Sequence, residues 1–274
     1  MVAILTWNIQ FGLGVDGRID LARIARVATA LGDADVLCFQ EVSAGFAELD
    51  HGVGADQVAQ LTALFPAHAP IFAPAVDRGA APRRRFGNMI LSRLPVLDVV
   101  AHALPRPADG RVIHMQRQAL EIIVAVGLAA LRVVTTHLEF HSLAQRRAQA
   151  ERLAALEAEW TGHHANPPLP GKGPYGVLPQ CLGTVLCGDF NFEIGEASYA
   201  ALTTQFTEAW PVLRGTTAHA PTCGIHDAKQ WPDGPHARDF FFVSPRLVPR
   251  LRGVVVDTVT DASDHQPLML TLDG

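Results

Sequence analysis

The chain has 274 residues and a formal net charge of −5, with 49% hydrophobic and 18% charged residues. That length supports a large buried core, as one big domain or two small ones. The acidic balance excludes a global basic field of the kind that grips long duplex nucleic acid. No uninterrupted apolar stretch approaches the ~20 residues that cross a bilayer. The opening "MVAILTWNIQ" lacks a basic segment and a small-residue cleavage site, so the expectation is a soluble protein starting at its own Met1. The cysteines, Cys38, Cys181, Cys187 and Cys223, form no C-x-x-C pair, which speaks against a zinc knuckle or a redox dithiol. Cys38 and Cys187 sit in apolar runs and read as small buried residues, and a reduced, cytoplasmic location is expected.

In chain order, short apolar runs alternate with helical patterns. "VAILTWN" reads as a strand ending at Asn8. In "RIDLARIARVATALG", Leu21, Ile24, Ala28 and Leu31 share one helical face, and Gly32 is a natural stop. "DVLCFQE" ends at Glu41, "NMILS" starts at Asn88, and the 110–136 region has the look of a hairpin closing with "LRVVTTH" at His137. A helix is predicted from Ser142, a plausible N-cap, to Trp160, with Leu143, Ala150, Leu153, Glu157 and Trp160 at helical spacing. Residues 161–180 are rich in Pro and Gly and read as a long loop within one domain. "GTVLCGDFN" ends at Asp189 and Asn191, "RDFFFVS" carries Asp239, and "SDHQPLMLTL" opens with Asp264 and His265. Val133-Val134 and Phe240-Phe241-Phe242 are apolar at consecutive positions, as expected of strands buried on both faces. An α/β sandwich of two packed sheets flanked by helices accounts for the pattern. A doubly wound single sheet is the alternative, weakened by the lack of a glycine-rich phosphate turn after the first strand.

Nearly every strand stops at Asn, Glu, His or Asp. If the strands share one edge, Asn8, Glu41, His137, Asp189, Asn191, Asp239, Asp264 and His265 converge on one mouth. Carboxylates and amide oxygens without cysteine suit a hard cation, Mg²⁺ or Mn²⁺, in preference to Zn²⁺. Imidazoles beside such an ion can move protons or stabilise charge on a phosphorane-like transition state.

The segments "TWNIQ", "CFQEV", "GNMILSRLP", "TTHLEFHSLAQRRAQ", "CGDFN", "RDFFFVS" and "SDHQPL" resemble, in order, the motifs of the endonuclease/exonuclease/phosphatase family. The resemblance implies a four-layer α/β/β/α sandwich with two packed, mainly antiparallel mixed sheets, built as a single catalytic domain over residues 1–274. It also implies roles. Glu41 would be the main ligand of Mg²⁺ or Mn²⁺ with Asn8 beside it, and Asp264 would face the metal side. Asp189 and Asn191 would orient the attacking water and a phosphate oxygen. His265 would act as general base or as a phosphate-stabilising imidazole, Asp239 would fix its tautomer, and His137 would contact the scissile phosphate from the other side. Gln10, where abasic-site endonucleases carry an acid, and "VVTTHLEF", where they carry an asparagine-ended segment, point away from that branch and toward deoxyribonuclease- and sphingomyelinase-like members.

Softer candidates for substrate contact are Arg117, Asn88 and the triplet Arg83, Arg84 and Arg85, whose loop reaches nucleic acid in deoxyribonucleases. Arg146 and Gln149 fit the family's helix, with a solvated position equally open, and "GIHDAKQWPDGPH" is a candidate specificity segment. The leading function is a phosphodiesterase acting on a nucleic acid or small phosphodiester. The alternatives are a phosphatase, a sphingomyelinase-like lipid diesterase, or a catalytically silent binding protein of the same fold. No protein partner is predicted.

Overall fold

The computed structural model describes residues 1–177 and 179–274. Twelve strands form two six-stranded sheets. The first contains β1 (Val2–Asn8), β2 (Val36–Ala44), β3 (Ala69–Arg78), β4 (Arg84–Ser92), β11 (Leu251–Val256) and β12 (Leu268–Leu272), in the order β11-β12-β1-β2-β4-β3. The second contains β5 (Val96–Ala103), β6 (Gln118–Val126), β7 (Ala129–His137), β8 (Cys181–Asp189), β9 (Thr207–Glu208) and β10 (Asp239–Val243), in the order β5-β6-β7-β8-β10-β9. Among the described residues, only β1/β2 and β7/β8 pair in parallel, and every other neighbour is antiparallel. Helices α1 (Leu21–Leu31) and α2 (Gln57–Leu64) cover the first sheet, and α3 (Leu143–Ala165) and α4 (Ala197–Leu202) the second, with the short α5 (Ala209–Arg214) beside β10 and β11. This is the α/β/β/α sandwich, not the doubly wound sheet.

Strand periodicity explains the layering. Ile4, Cys38, Ile90, Val133, Cys187, Phe241 and Leu270 point into the space between the sheets. Their neighbours Leu5, Trp7, Leu37 and Phe39 turn out toward α1 and α2, and Leu186, Phe240 and Phe242 turn toward α3 and α4. Successive side chains alternate across a pleat, so a strand between two covered faces must be apolar at every position. Each such fully buried large side chain contributes roughly 1.5–3 kcal/mol. Ser142 caps α3 as expected, its side chain accepting from the Gln145 amide, and Asp20 caps α1 through the Arg23 amide.

Several boundaries differ from the sequence reading. Helix α3 continues five residues past Trp160, to Ala165, because Trp160 and His164 stack four residues apart at 5.3 Å and hold the last turn. The irregular segment therefore starts at Asn166, and the part of the expected 161–180 loop at Leu178 lies outside the described residues. Leu143, at helical spacing with Ala150 and Leu153, is exposed, whereas Gln145, Arg146 and Gln149 are buried. Gln145 Nε2, Arg146 Nη1 and Gln149 Nε2 donate to the carbonyls of Pro107, Glu139 and Pro105, which offsets the burial of those groups. The hairpin begins at Gln118 and not near 110, and β4 begins at Arg84, four residues before Asn88. Among the described residues, no helix is long and apolar enough to cross a membrane. All four cysteines are free and buried.

Candidate active site

Topology gathers the polar strand ends. Strands β1, β7 and β8 end at Asn8, His137 and Asp189 on one edge of the sandwich, and Glu41 lies within β2 one residue past Gln40, the partner of Asn8. Strands β10 and β12 run the opposite way to their neighbours, so their starts, at Asp239 and just after Asp264-His265, come to that same edge. In the ladder, Asp189 lies opposite both His137 and Asp239. Gly188 makes this register possible: at φ 137°, a Cβ there would lie 1.9 Å from the Thr136 carbonyl oxygen. Beneath the edge, the buried Gln40 crosses between the sheets, its amide donating to Thr6 Oγ1 at 3.2 Å and Thr135 Oγ1 at 2.9 Å.

Three positive-φ residues line the cleft, Gln10, Glu41 and Asn191. The register of β2 against β4 shifts between Phe39 and Val42, and Glu41 within that bulge has φ 61°. Asn191 has φ 54°, and its amide donates to the Leu138 carbonyl at 3.0 Å. Bulges and left-handed non-glycine residues cost energy and concentrate where a side chain must be re-aimed.

The two sheets are joined at the site by Asn8, whose Nδ2 donates to Glu41 Oε1 at 3.1 Å and to Asp189 Oδ2 at 3.0 Å. Asp189 Oδ2 also lies 3.4 Å from His137 Nε2 and 3.7 Å from His265 Nε2. His265 Nδ1 meets Asp239 Oδ2 at 2.8 Å, and the Thr222 hydroxyl donates to that same oxygen at 2.7 Å. The two imidazoles differ in charge. Burial, with Arg117 nearby, pushes His137 down to about 3, so it is neutral at ordinary pH. Burial opposes charge on His265 too, but Asp239, Asp189 and Asp264 overcome it and hold it protonated well above the usual range. Burial raises Asp239 to about 6, so near neutrality it forms an ion pair with His265. Burial, and then the neighbouring Asp264 carboxylate, push Glu41 up to about 7.

These donors fit a divalent cation. Ligand atoms of Asp189, Asp239 and His265 lie within 4.8 Å of one another, a cluster able to hold one. Asp239 and His265 already satisfy each other, however, whereas Glu41 has Asp264 as a like-charged neighbour, accepts from the Asn8 amide, and has the neutral His137 3.9 Å from its Oε1. An acid pushed toward neutrality by burial and by a neighbouring carboxylate, as Glu41 is, is relieved by a hard cation.

The cleft measures about 350 Å³ and contains every expected catalytic and metal residue except Asp239, which backs His265 from behind. Arg117 lines it as anticipated. Its Nε donates to Glu139 Oε2 at 3.2 Å, while its buried Nη1 has no partner among the described residues. Arg146 and Gln149 are not solvated: they hold the Glu139–Phe140 turn through the Glu139 and Phe140 carbonyls and the Glu139 amide. Asn88 is buried in a narrow recess behind Glu41 and His137, its amide 3.4 Å from the Gln118 carbonyl. The arginine triplet stands where β4 begins, each guanidinium on a carboxylate: Arg83 on Asp77 at 2.6 Å, Arg84 on Glu48 at 3.0 Å and Arg85 on Asp56 at 3.5 Å.

Sequence reasoning missed the walls of the cleft. Trp231 donates its indole N–H to Asp264 Oδ2 at 3.1 Å and stands edge-on to His265 at 5.6 Å and to Phe140 at 6.1 Å. Gln10 reaches Gln230 at 3.0 Å on the same side. Phe86 and Met115 also line the cleft, beside Glu41 and Arg117. Trp231 lies inside the polar segment singled out for specificity, and a lone tryptophan amid turn residues was the available signal.

The family model for the "Endonuclease/Exonuclease/phosphatase family" matches residues 5–265. No curated protein matches. Solved structures of similar fold include an endonuclease/exonuclease/phosphatase from Beutenbergia cavernae DSM 12333, 21% identical, with TM-score 0.69, covering all of this chain and 72% of its own. A mannosyl-6-phosphatase from Bacteroides thetaiotaomicron VPI-5482 aligns over 100% of both chains at 17% identity and TM-score 0.71. A humanized D. rerio TDP2 carrying 14 mutations aligns over 100% of this chain and 99% of its own, at 17% identity and TM-score 0.65. The chain belongs to the endonuclease/exonuclease/phosphatase family. Its fold and its Asp/Asp/His cluster support a metal-assisted hydrolase of that family.

Proposed function

We propose that the protein is a Mg²⁺- or Mn²⁺-dependent phosphodiesterase. The observation that carries this reading is a charged centre flanked by apolar side chains in two places. Asn8, Glu41, His137, Asp189, Asp264 and His265 line the cleft, with Phe140 and Trp231 beside Asp264 and His265, and Phe86 and Met115 beside Glu41 and Arg117. A phosphorus centre with two ester arms matches that layout better than a monoester, which has only one.

Glu41, Asn8 and Asp264 would hold the ion, which when bound supplies charge neutralisation on the phosphoryl oxygens and lowers the pKa of water. Arg117 Nη1 and the protonated His265 Nε2 offer donors to phosphate oxygens, stabilising charge that grows in the transition state. Asp189, held by Asn8, and Asn191 orient the water. Neutral His137 can accept or donate one hydrogen bond on the far side of the phosphate. Asn88 would brace the floor behind Glu41.

A comparison of bis(p-nitrophenyl) phosphate with p-nitrophenyl phosphate tests the proposal. The diester is expected to have a kcat/KM at least about tenfold higher, and activity should vanish in excess chelator. The reverse ranking would favour a phosphatase, the activity named for the Bacteroides structure.

Glu41 also sets a pH dependence. The ligand form is the carboxylate, and it titrates at about 7 before an ion is bound. At limiting Mg²⁺, activity is therefore expected to rise roughly tenfold per pH unit below 7 and to level off above it. A folded-state value above the ordinary 4.5 means that the metal-free fold loses stability as pH rises from there through 7. Mg²⁺ should accordingly raise the unfolding temperature more at pH 8 than at pH 5.

For a nucleic-acid substrate, the arginine triplet would have to reach flanking phosphates. Each phosphate contact adds roughly 0.9 to the slope of log affinity against log salt. Because all three guanidiniums already hold carboxylates, replacing Arg83, Arg84 and Arg85 by serine is expected to change the slope for a duplex oligonucleotide by less than about 1. A drop of 2 or more would make nucleic acid the favoured substrate.

A further inference from the structure

Next to the cleft lies a second concavity of about 250 Å³, walled by Phe46, Leu49, Val76, Phe86 and Met115. Phe86 and Met115 line both spaces, so the two adjoin, and they also line the narrow recess that reaches Glu41, Arg117 and His137. Phe46 meets Phe86 edge-on at 6.5 Å, and the Arg84 guanidinium covers the Phe46 ring at 5.4 Å. The rim carries one cation and one anion, Arg78 and Glu48. Glu48 is itself paired with Arg84.

We infer that this concavity is a substrate subsite that takes an uncharged apolar arm, alkyl or aryl, of the phosphoester held in the cleft. The inference rests on the phosphoesterase reading of the cleft and specifies its substrate class. The argument is one of complementarity. A polyanion finds one lining cation, Arg78, with the carboxylate of Glu48 beside it on the same rim, and a sugar hydroxyl finds no donor or acceptor on walls of Phe, Leu, Val and Met. An apolar arm gains the transfer free energy of its buried surface, about 0.8 kcal/mol or roughly threefold to fourfold in affinity per methylene. The occupant is an arm of the substrate and not a separate partner because the concavity adjoins the cleft, with Phe86 and Met115 lining both. An arm leaving a phosphate near Arg117 would pass over Met115 and Phe86 to reach it.

The test uses n-alkylphosphonates, which present the charged head and one apolar arm but carry no hydrolysable ester. Methyl-, butyl- and hexylphosphonate are titrated into the Mg²⁺-loaded protein by calorimetry. Affinity is expected to rise about threefold per methylene over the first four carbons. Leu49→Asp, which lies outside the charged centre, should abolish that rise and leave methylphosphonate binding unchanged, and Phe46→Leu should retain it. Unfolding temperatures of both variants report on the fold independently. Equal affinity for the three ligands, no binding of any, or a rise that survives Leu49→Asp would overturn the subsite. Turnover of methyl p-nitrophenyl phosphate judges the phosphodiesterase reading separately. Turnover with flat alkyl binding sinks only the subsite, and a binding slope without turnover sinks only the diesterase reading.

Discussion

Glu41→Gln is expected to lower phosphodiester turnover with Mg²⁺ by more than about a hundredfold while leaving the protein folded. Glutamine keeps the size and one oxygen of the side chain but removes the carboxylate that the bulge in β2 aims beside Asp264. A bound divalent cation is worth several kcal/mol of transition-state stabilisation, and each 1.36 kcal/mol is tenfold in rate. The metal-free variant should be at least as stable as the parent above pH 7, because one of two mutually repelling buried acids is gone. Mg²⁺ should no longer raise its unfolding temperature. An unimpaired glutamine variant, or full parental activity in excess chelator, would show that Glu41 holds no essential ion.

His265→Ala is expected to reduce kcat by between about 10²- and 10⁴-fold, the range for a positioned acid or base, with little change in KM. Its Nε2 faces the carboxylate end of Asp189 at 3.7 Å, and its Nδ1 is fixed on Asp239 at 2.8 Å. Asp239→Asn removes the charge that keeps the imidazole protonated and oriented, so it should lower kcat by a smaller factor. In the double variant the losses should fall well short of the product of the two, because Asp239 acts through His265. Rate constants for the three variants at saturating Mg²⁺ decide the matter: multiplicative losses would mean the two residues do not act as a unit.

Much of this site was legible because local chemistry and strand pattern coincide at Asn8, Glu41, His137, Asp189, Asp239 and His265. Each ends or begins an apolar run, and a buried strand that stops at a polar residue marks an edge of the sandwich. The sheets themselves were legible for the same reason. Phe240, Phe241 and Phe242 had to belong to a strand covered on both faces, and they serve two different cores. Boundaries were less legible where side-chain contacts override composition, as where the Trp160–His164 stack carries α3 past the expected start of the loop.

By itself the sequence determined the residue types of the charged centre, the buried strands and their order along the chain. Those follow from short-range periodicity and from the cost of burying a polar group without a partner. Only the tertiary structure decided which imidazole is charged. His137 and His265 are both buried histidines, and they diverge because three carboxylates surround His265 while Arg117 stands near His137. Tertiary structure also brought Trp231, Phe140, Phe86 and Met115, from segments up to 145 residues apart in the chain, to the walls of one cleft. It turned Glu41 out of its strand through a bulge at φ 61°. It set Arg83, Arg84 and Arg85 against Asp77, Glu48 and Asp56. A run of like charges shows nothing about the partners that folding brings, because the Coulomb energy depends on distances in space, which spacing along the chain does not set.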